Sequence, residues 1–134
     1  KIIKKMGVLG LKIGLLFQMK DDVLDYTFDS KITGKKSGND IKEGKINLPL
    51  LHVLSKMSTC EKGKTYQILR KKINTDDEIK WVKKLVFKYR GIEYADSIIK
   101  TYHSDITKSI DLFEENTYKI GLTSLLKFLI NRVK

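Results

Sequence analysis

Along most of this chain apolar residues recur three and four positions apart, and no stretch alternates apolar with polar residues over the length of a strand. That period commits the chain to an all-α fold. The first helix is expected from about Ile2 to Tyr26, with Ile2, Met6, Leu9, Ile13, Leu16, Phe17 and Leu24 on its inward face. From Thr27 to Asn47 the sequence is polar and holds Gly34, Gly38 and Gly44, which reads as a long loop of the kind kept for function. Asn47 and Pro49 then open a short helix to about Lys56. Ser58 with Glu61, and Thr75 with Glu78, are capping boxes that start helices to about Ile73 and Arg90. Gly91 is expected to end the second of these as its C-cap. Two more helices are expected from about Glu93 to Glu115 and from Lys119 to Arg132.

Nothing in the pattern marks an internal boundary, so residues 1–134 read as one domain or part of one. With 41% apolar residues the chain can build a core. A single cysteine, Cys60, excludes a disulfide scaffold and points to a reducing, cytoplasmic location. Two histidines and one cysteine are too few for a structural zinc site, so any metal would be held by carboxylates. The net charge of +11 comes from lysines scattered over the whole chain, with Arg70, Arg90 and Arg132 the sole arginines. A nucleic-acid binder concentrates charge on one face and favours Arg, so a solvated basic surface is the preferred reading. Lys1, Lys4 and Lys5 before the apolar run Met6 to Met19 imitate a signal peptide, but Lys12 interrupts the run and it is too short to span a bilayer. The chain starts inside a helical pattern, from which upstream sequence is expected.

The informative face of the first helix carries Gly7, Gly10 and Gly14 and ends in Gln18, Asp21, Asp22 and Asp25. Each glycine inside a helix costs about 1 kcal/mol against alanine. Such a strip serves either a neighbouring helix or a long apolar substrate that must approach the backbone. Asp21 and Asp25 are one turn apart with Asp22 beside them, and each like-charge pair costs roughly 3 kcal/mol at about 6 Å and an effective dielectric near 20. The helix C-terminus also disfavours anions. Either this acidic end simply solvates its charges, or a counter-cation such as Mg²⁺ shared with phosphates offsets the repulsion. Directly after it come Gly34, Lys35, Lys36, Ser37, Gly38, Asn39 and Asp40, then Lys42, Gly44 and Lys45. Glycines let backbone N–H groups face an anion, and lysines supply mobile charge. Carboxylates followed by a basic glycine loop suit a metal–diphosphate complex, and Asp40 adds a further carboxylate.

The run Phe17-Gln18-Met19-Lys20-Asp21-Asp22-Val23-Leu24-Asp25 resembles the FQxxDDxxD second aspartate-rich motif of trans-polyprenyl diphosphate synthases. Gly34 to Asp40 is similar to that family's GKxxGxD loop, and Ile41 to Leu50 to the segment that follows, with Asn47 where the family usually has Thr. The closing Phe128 to Arg132 also resembles the family's C-terminus. The resemblance implies a helical bundle of the isoprenoid synthase type, present here as its C-terminal part. It implies Mg²⁺-dependent condensation of isopentenyl diphosphate with an allylic prenyl diphosphate. Carried over by position, Asp21, Asp22 and Asp25 would hold Mg²⁺, and Asp40 would support the metal from the surrounding shell. Lys35 and Lys45 would meet the diphosphate, and Phe17 and Gln18 would face the reacting allylic group. A homodimer is the family's usual assembly. The family's first aspartate-rich motif has no counterpart in this sequence, since Asp76-Asp77-Glu78 reads as a helix start. The isolated chain is therefore expected to be inactive without the missing N-terminal part. Two other classes remain: a non-catalytic partner subunit that binds prenyl diphosphate, and a basic helical module that binds RNA.

Overall fold

The computed structural model describes residues 2–27 and 37–132. Among these it is wholly helical, without a strand. The helices are α1 (Ile2–Thr27), α2 (Asn39–Lys42), α3 (Leu48–Leu54), α4 (Thr59–Leu69), α5 (Asp76–Lys88), α6 (Gly91–Asp111) and α7 (Thr117–Asn131). No described helix is long and apolar enough to cross a membrane. Contacts gather into two compact units. One holds α1 as far as Asp21, α6 from Ser97 onward and α7; the other holds Asp22 to Asp96.

In the first unit the buried residues are Leu9 and Leu16 of α1, Ile99, Ile106 and Ile110 of α6, and Leu126 and Leu129 of α7. The inward face of α1 is narrower than its period suggested. Met6 and Phe17 are each 39% exposed and Ile13 is half-buried, while Leu9, Leu16 and Leu24 are covered as expected. The glycine strip faces open space: a Cβ built at Gly7, Gly10 or Gly14 meets nothing within 4 Å among the described residues. Leu11 on the same side is 65% exposed. No described helix therefore explains these glycines by close approach. The last helix begins at Thr117 rather than Lys119 because the Asn116 side chain accepts the Lys119 N–H at 2.9 Å.

In the second unit, α2 packs on α4 and α5, and α3 and α4 pack on α5. Asn47 caps α3, and both capping boxes form as read from the sequence. Ile79, Val82, Leu85 and Val86 of α5 are buried at helical spacing. Two expectations change. The long loop contains α2, a single turn too short to leave a periodic signature. Gly91 does not cap α5 but is the first residue of α6, while Arg90 takes the left-handed conformation with φ 57°. Gly91 is needed for contact instead: a Cβ there would lie 2.7 Å from the Pro49 carbonyl oxygen. The left-handed conformation costs Arg90 about 1–2 kcal/mol.

Glu61 ties α4 to the end of α5. Its carboxylate accepts from the Ser58 backbone at 3.0 Å, the Lys88 amine at 2.8 Å and the Tyr89 hydroxyl at 2.8 Å. The Lys88 and Tyr89 hydrogen bonds, then Ser58, hold its pKa down from 4.5 to about 2. A carboxylate depressed on folding stabilises the protein above its unfolded pKa and loses that contribution as pH falls through the folded one. We predict that the melting-temperature gap between the parent and Glu61→Gln is full above about pH 5 and closes towards pH 2. A gap independent of pH would contradict this role. Elsewhere His52 stacks on Tyr94 with ring centroids 3.7 Å apart, and half-buried Trp81 takes the Lys64 amine over its face at 4.4 Å. Both are packing roles.

Candidate functional site

The last turns of α1 present Asp22, Asp25 and Tyr26 within the second unit. Asp25 is half-buried, and each oxygen of its carboxylate accepts one N–H from the chain beyond it: Oδ1 that of Asn39 and Oδ2 that of Asp40, each at 3.1 Å. The Asp25 carbonyl also accepts the Gly38 N–H at 3.0 Å. Three consecutive backbone donors are thus turned onto one residue. Gly38 makes the turn possible, with φ 85° and no room for a Cβ, which would sit 2.5 Å from Ile79 Cγ2. This contact fixes the Gly38–Asp40 turn to the last turn of α1.

Asp40 stands beside this clamp. Its Oδ2 accepts from Asn47 Nδ2 at 2.9 Å, and its Oδ1 lies 3.9 Å from the Lys45 amine. Lys45 is mostly exposed; its hydrogen bond and charge contact with Glu43, then the charge of Asp40, raise its pKa. Asn47 Oδ1 in turn accepts from the buried Tyr26 hydroxyl at 2.8 Å. Burial first, then the charges of Asp25, Asp40 and Asp22, pushes the Tyr26 phenol well above its ordinary pKa. Asp22 Oδ2 lies 3.5 Å from the Leu48 N–H, at the limit of a hydrogen bond. On α5, the Lys83 amine donates to Ser37 Oγ at 2.8 Å; burial lowers its pKa and the Asp25 charge opposes the shift.

In the first unit Asp21 Oδ1 lies 3.2 Å from Arg132 Nη1. The Arg132 guanidinium also sits over the Phe17 ring, 4.6 Å from its centroid. Gln18 is exposed on α1. Of the residues picked from sequence, Asp22, Asp25, Asp40 and Lys45 are brought together in the second unit, and Asp21 and Phe17 share Arg132 in the first. Lys35 lies outside the described residues, as do Gly34 and Lys36. Sequence reading missed Arg132, Lys83 and Tyr26 at these positions. Tyr26 adjoins Asp25 and Arg132 closes the run similar to the family's C-terminus; Lys83 carried no signal among so many lysines.

Part of the charge on the α1 aspartates is met by partners within the chain. Asp25 is offset by backbone N–H groups and Asp21 by a guanidinium. Among the described residues no three His, Cys, Asp or Glu side chains converge as a closed metal cage. The donor set still fits Mg²⁺ of the open kind. Mg²⁺ keeps several waters and takes one or two carboxylates plus substrate phosphates. A carboxylate offers about four acceptor positions, of which Asp25 spends two on the clamp.

The sequence profile of the polyprenyl synthetase family matches residues 1–86. The chain is 34% identical over 91% of its length to a short chain isoprenyl diphosphate synthase of Methanocaldococcus jannaschii, and covers 36% of that protein. It is 29% identical over 96% of its length to an octaprenyl diphosphate synthase of Haemophilus influenzae, covering 39% of it. A geranylgeranyl pyrophosphate synthetase of Pyrococcus horikoshii superposes with a TM-score of 0.86 at 30% identity, over 98% of this chain and 39% of that one. The fold is accordingly that of the isoprenyl synthases, and the chain spans well under half the length of these relatives. With the profile matching more than half its residues, this chain belongs to the polyprenyl synthetase family.

Proposed function

We propose that the chain forms the C-terminal part of a trans-prenyltransferase that condenses isopentenyl diphosphate with an allylic diphosphate, releasing pyrophosphate. The observation that carries this reading is the Asp25 clamp, which sets Asp25, Asp40 and Lys45 around one turn of backbone. Chain extension breaks the allylic C–O bond, joins the allylic carbon to the isopentenyl double bond and loses one proton. The difficult point is the negative charge that gathers on the departing diphosphate. Asp21, Asp22 and Asp25 would hold Mg²⁺ against that diphosphate, with Asp40 supporting it. When bound, the ion supplies positive charge to the leaving group. Lys45, and Lys35 of the glycine loop, add mobile cations to the same oxygens. Phe17 and Gln18 face the allylic group, where the Gln18 carbonyl dipole opposes the carbocation's charge. The open strip of Gly7, Gly10 and Gly14, which no described helix covers, supplies a wall for the lengthening apolar chain. A cytoplasmic homodimer completes the reading.

With isopentenyl diphosphate, farnesyl diphosphate and Mg²⁺, the full-length protein is expected to yield products longer by whole isoprene units. The isolated 134-residue chain, which has one aspartate-rich motif, is expected to yield none. A full-length protein that binds prenyl diphosphate without turnover would instead indicate a partner subunit. Steeply salt-dependent RNA binding unaffected by Asp21→Ala would indicate the basic module.

A further inference from the structure

Asn47 does more than cap a helix. It is 8% exposed, and both ends of its amide are spent on different elements. Oδ1 accepts the Leu50 N–H at 3.4 Å, the cap of α3, and the Tyr26 hydroxyl at 2.8 Å. Nδ2 donates to Asp40 Oδ2 at 2.9 Å. The orientation of this amide follows from its neighbours. A backbone N–H can only donate and a carboxylate can only accept, so the oxygen must face Leu50 and the nitrogen must face Asp40. Tyr26 therefore donates as well. Its ring is 1% exposed, which holds the hydroxyl in place. The chain Tyr26–Asn47–Asp40 starts at the residue next to Asp25, and Asp40 N–H returns to the Asp25 carboxylate. The circuit is closed: one turn of α1 grips Asp40 by its backbone on one side and by its carboxylate on the other.

We infer that Asn47, oriented by Tyr26, is a positioning residue that fixes the Asp40 carboxylate beside the α1 aspartates, an inference that rests on the metal–diphosphate reading given above. With Oδ2 held by a directed donor, Oδ1 has a defined direction, the one in which Lys45 lies. The arrangement makes Asn47 separable into two roles. Its oxygen serves the helix and its nitrogen serves the site.

Asn47→Ser separates the two roles without adding charge. Serine caps a helix as well as asparagine does and keeps an acceptor for Leu50, but it has no amide to donate to Asp40. In the full-length protein, binding of Mg²⁺ with inorganic pyrophosphate is measured by calorimetry, alongside the melting temperature. The expected result is affinity weakened by about 10- to 100-fold, the usual effect of losing an outer partner of a metal ligand, with melting shifted by no more than a few degrees. Tyr26→Phe keeps the ring and removes the donor, and is expected to weaken binding in the same direction by less. It carries the test should Asn47→Ser fail to fold. Parent-like binding in the folded variant, or a loss of binding matched by a collapse of the melting transition, would overturn the positioning role while leaving the functional reading intact. A parent protein that binds no Mg²⁺–pyrophosphate would contradict that reading, and this inference with it.

Discussion

Replacing Asp25 by Asn is expected to reduce turnover of the full-length protein by roughly 100-fold or more and to lower its stability as well, by about 1–3 kcal/mol. The two effects arise from the same oxygens. Oδ1 and Oδ2 each accept a backbone N–H from the Asn39–Asp40 turn, and an amide offers one oxygen for two donors. The NH₂ group of asparagine would face a backbone N–H, so one strong charge-assisted bond is exchanged for a donor–donor contact. The Gly38 N–H bond to the Asp25 carbonyl would remain, so the loosening is expected at Asn39 and Asp40, whose N–H groups rest on the side chain. Kinetic assay and thermal melting of the same preparation check this. A variant with full activity and lowered stability would reduce Asp25 to a structural brace.

Asp21→Ala should separate these quantities. Asp21 pairs with Arg132, and the two side chains are each 24% exposed. A partly solvated ion pair contributes about 0–1 kcal/mol, so melting should barely move. Turnover should fall on the order of 10²- to 10³-fold, the scale of losing one contact to charge that develops in a transition state. Asp21 and Asp25 are thus predicted to be alike in activity and unlike in stability, although they occupy equivalent places one turn apart on α1. Equal activity of Asp21→Ala and parent would remove Asp21 from the metal role.

Much of the fold could be read from local chemistry. Asn47, the Ser58–Glu61 box and the Thr75–Glu78 box each act within three residues, so their hydrogen bonds were legible as spacing. What was not legible depends on residues distant in sequence. Gly91 looked like a helix terminator, and only the approach of Pro49 gives its real role. Asp25 looked like a metal ligand on a helix, and nothing in its neighbourhood announced that the Gly38–Asp40 backbone would fold onto it. The cap at Asn47 was visible; its bridge from Tyr26 to Asp40 was not, because that bridge needs three segments in register. Arg132 reaches Asp21 from the far end of the chain, and the charge pattern of so lysine-rich a sequence hides any such pairing.

The decisive measurement is crystallographic: the full-length protein grown with Mn²⁺ in place of Mg²⁺ and with pyrophosphate, examined by anomalous scattering. A metal peak is predicted within about 2.0–2.3 Å of an oxygen of Asp21 or Asp25, bridged to a phosphate oxygen, with the Gly38–Asp40 turn still held on Asp25. A metal bound elsewhere, with the Asp21–Arg132 pair undisturbed and pyrophosphate distant from Asp40 and Lys45, would contradict the proposal that these carboxylates serve a diphosphate.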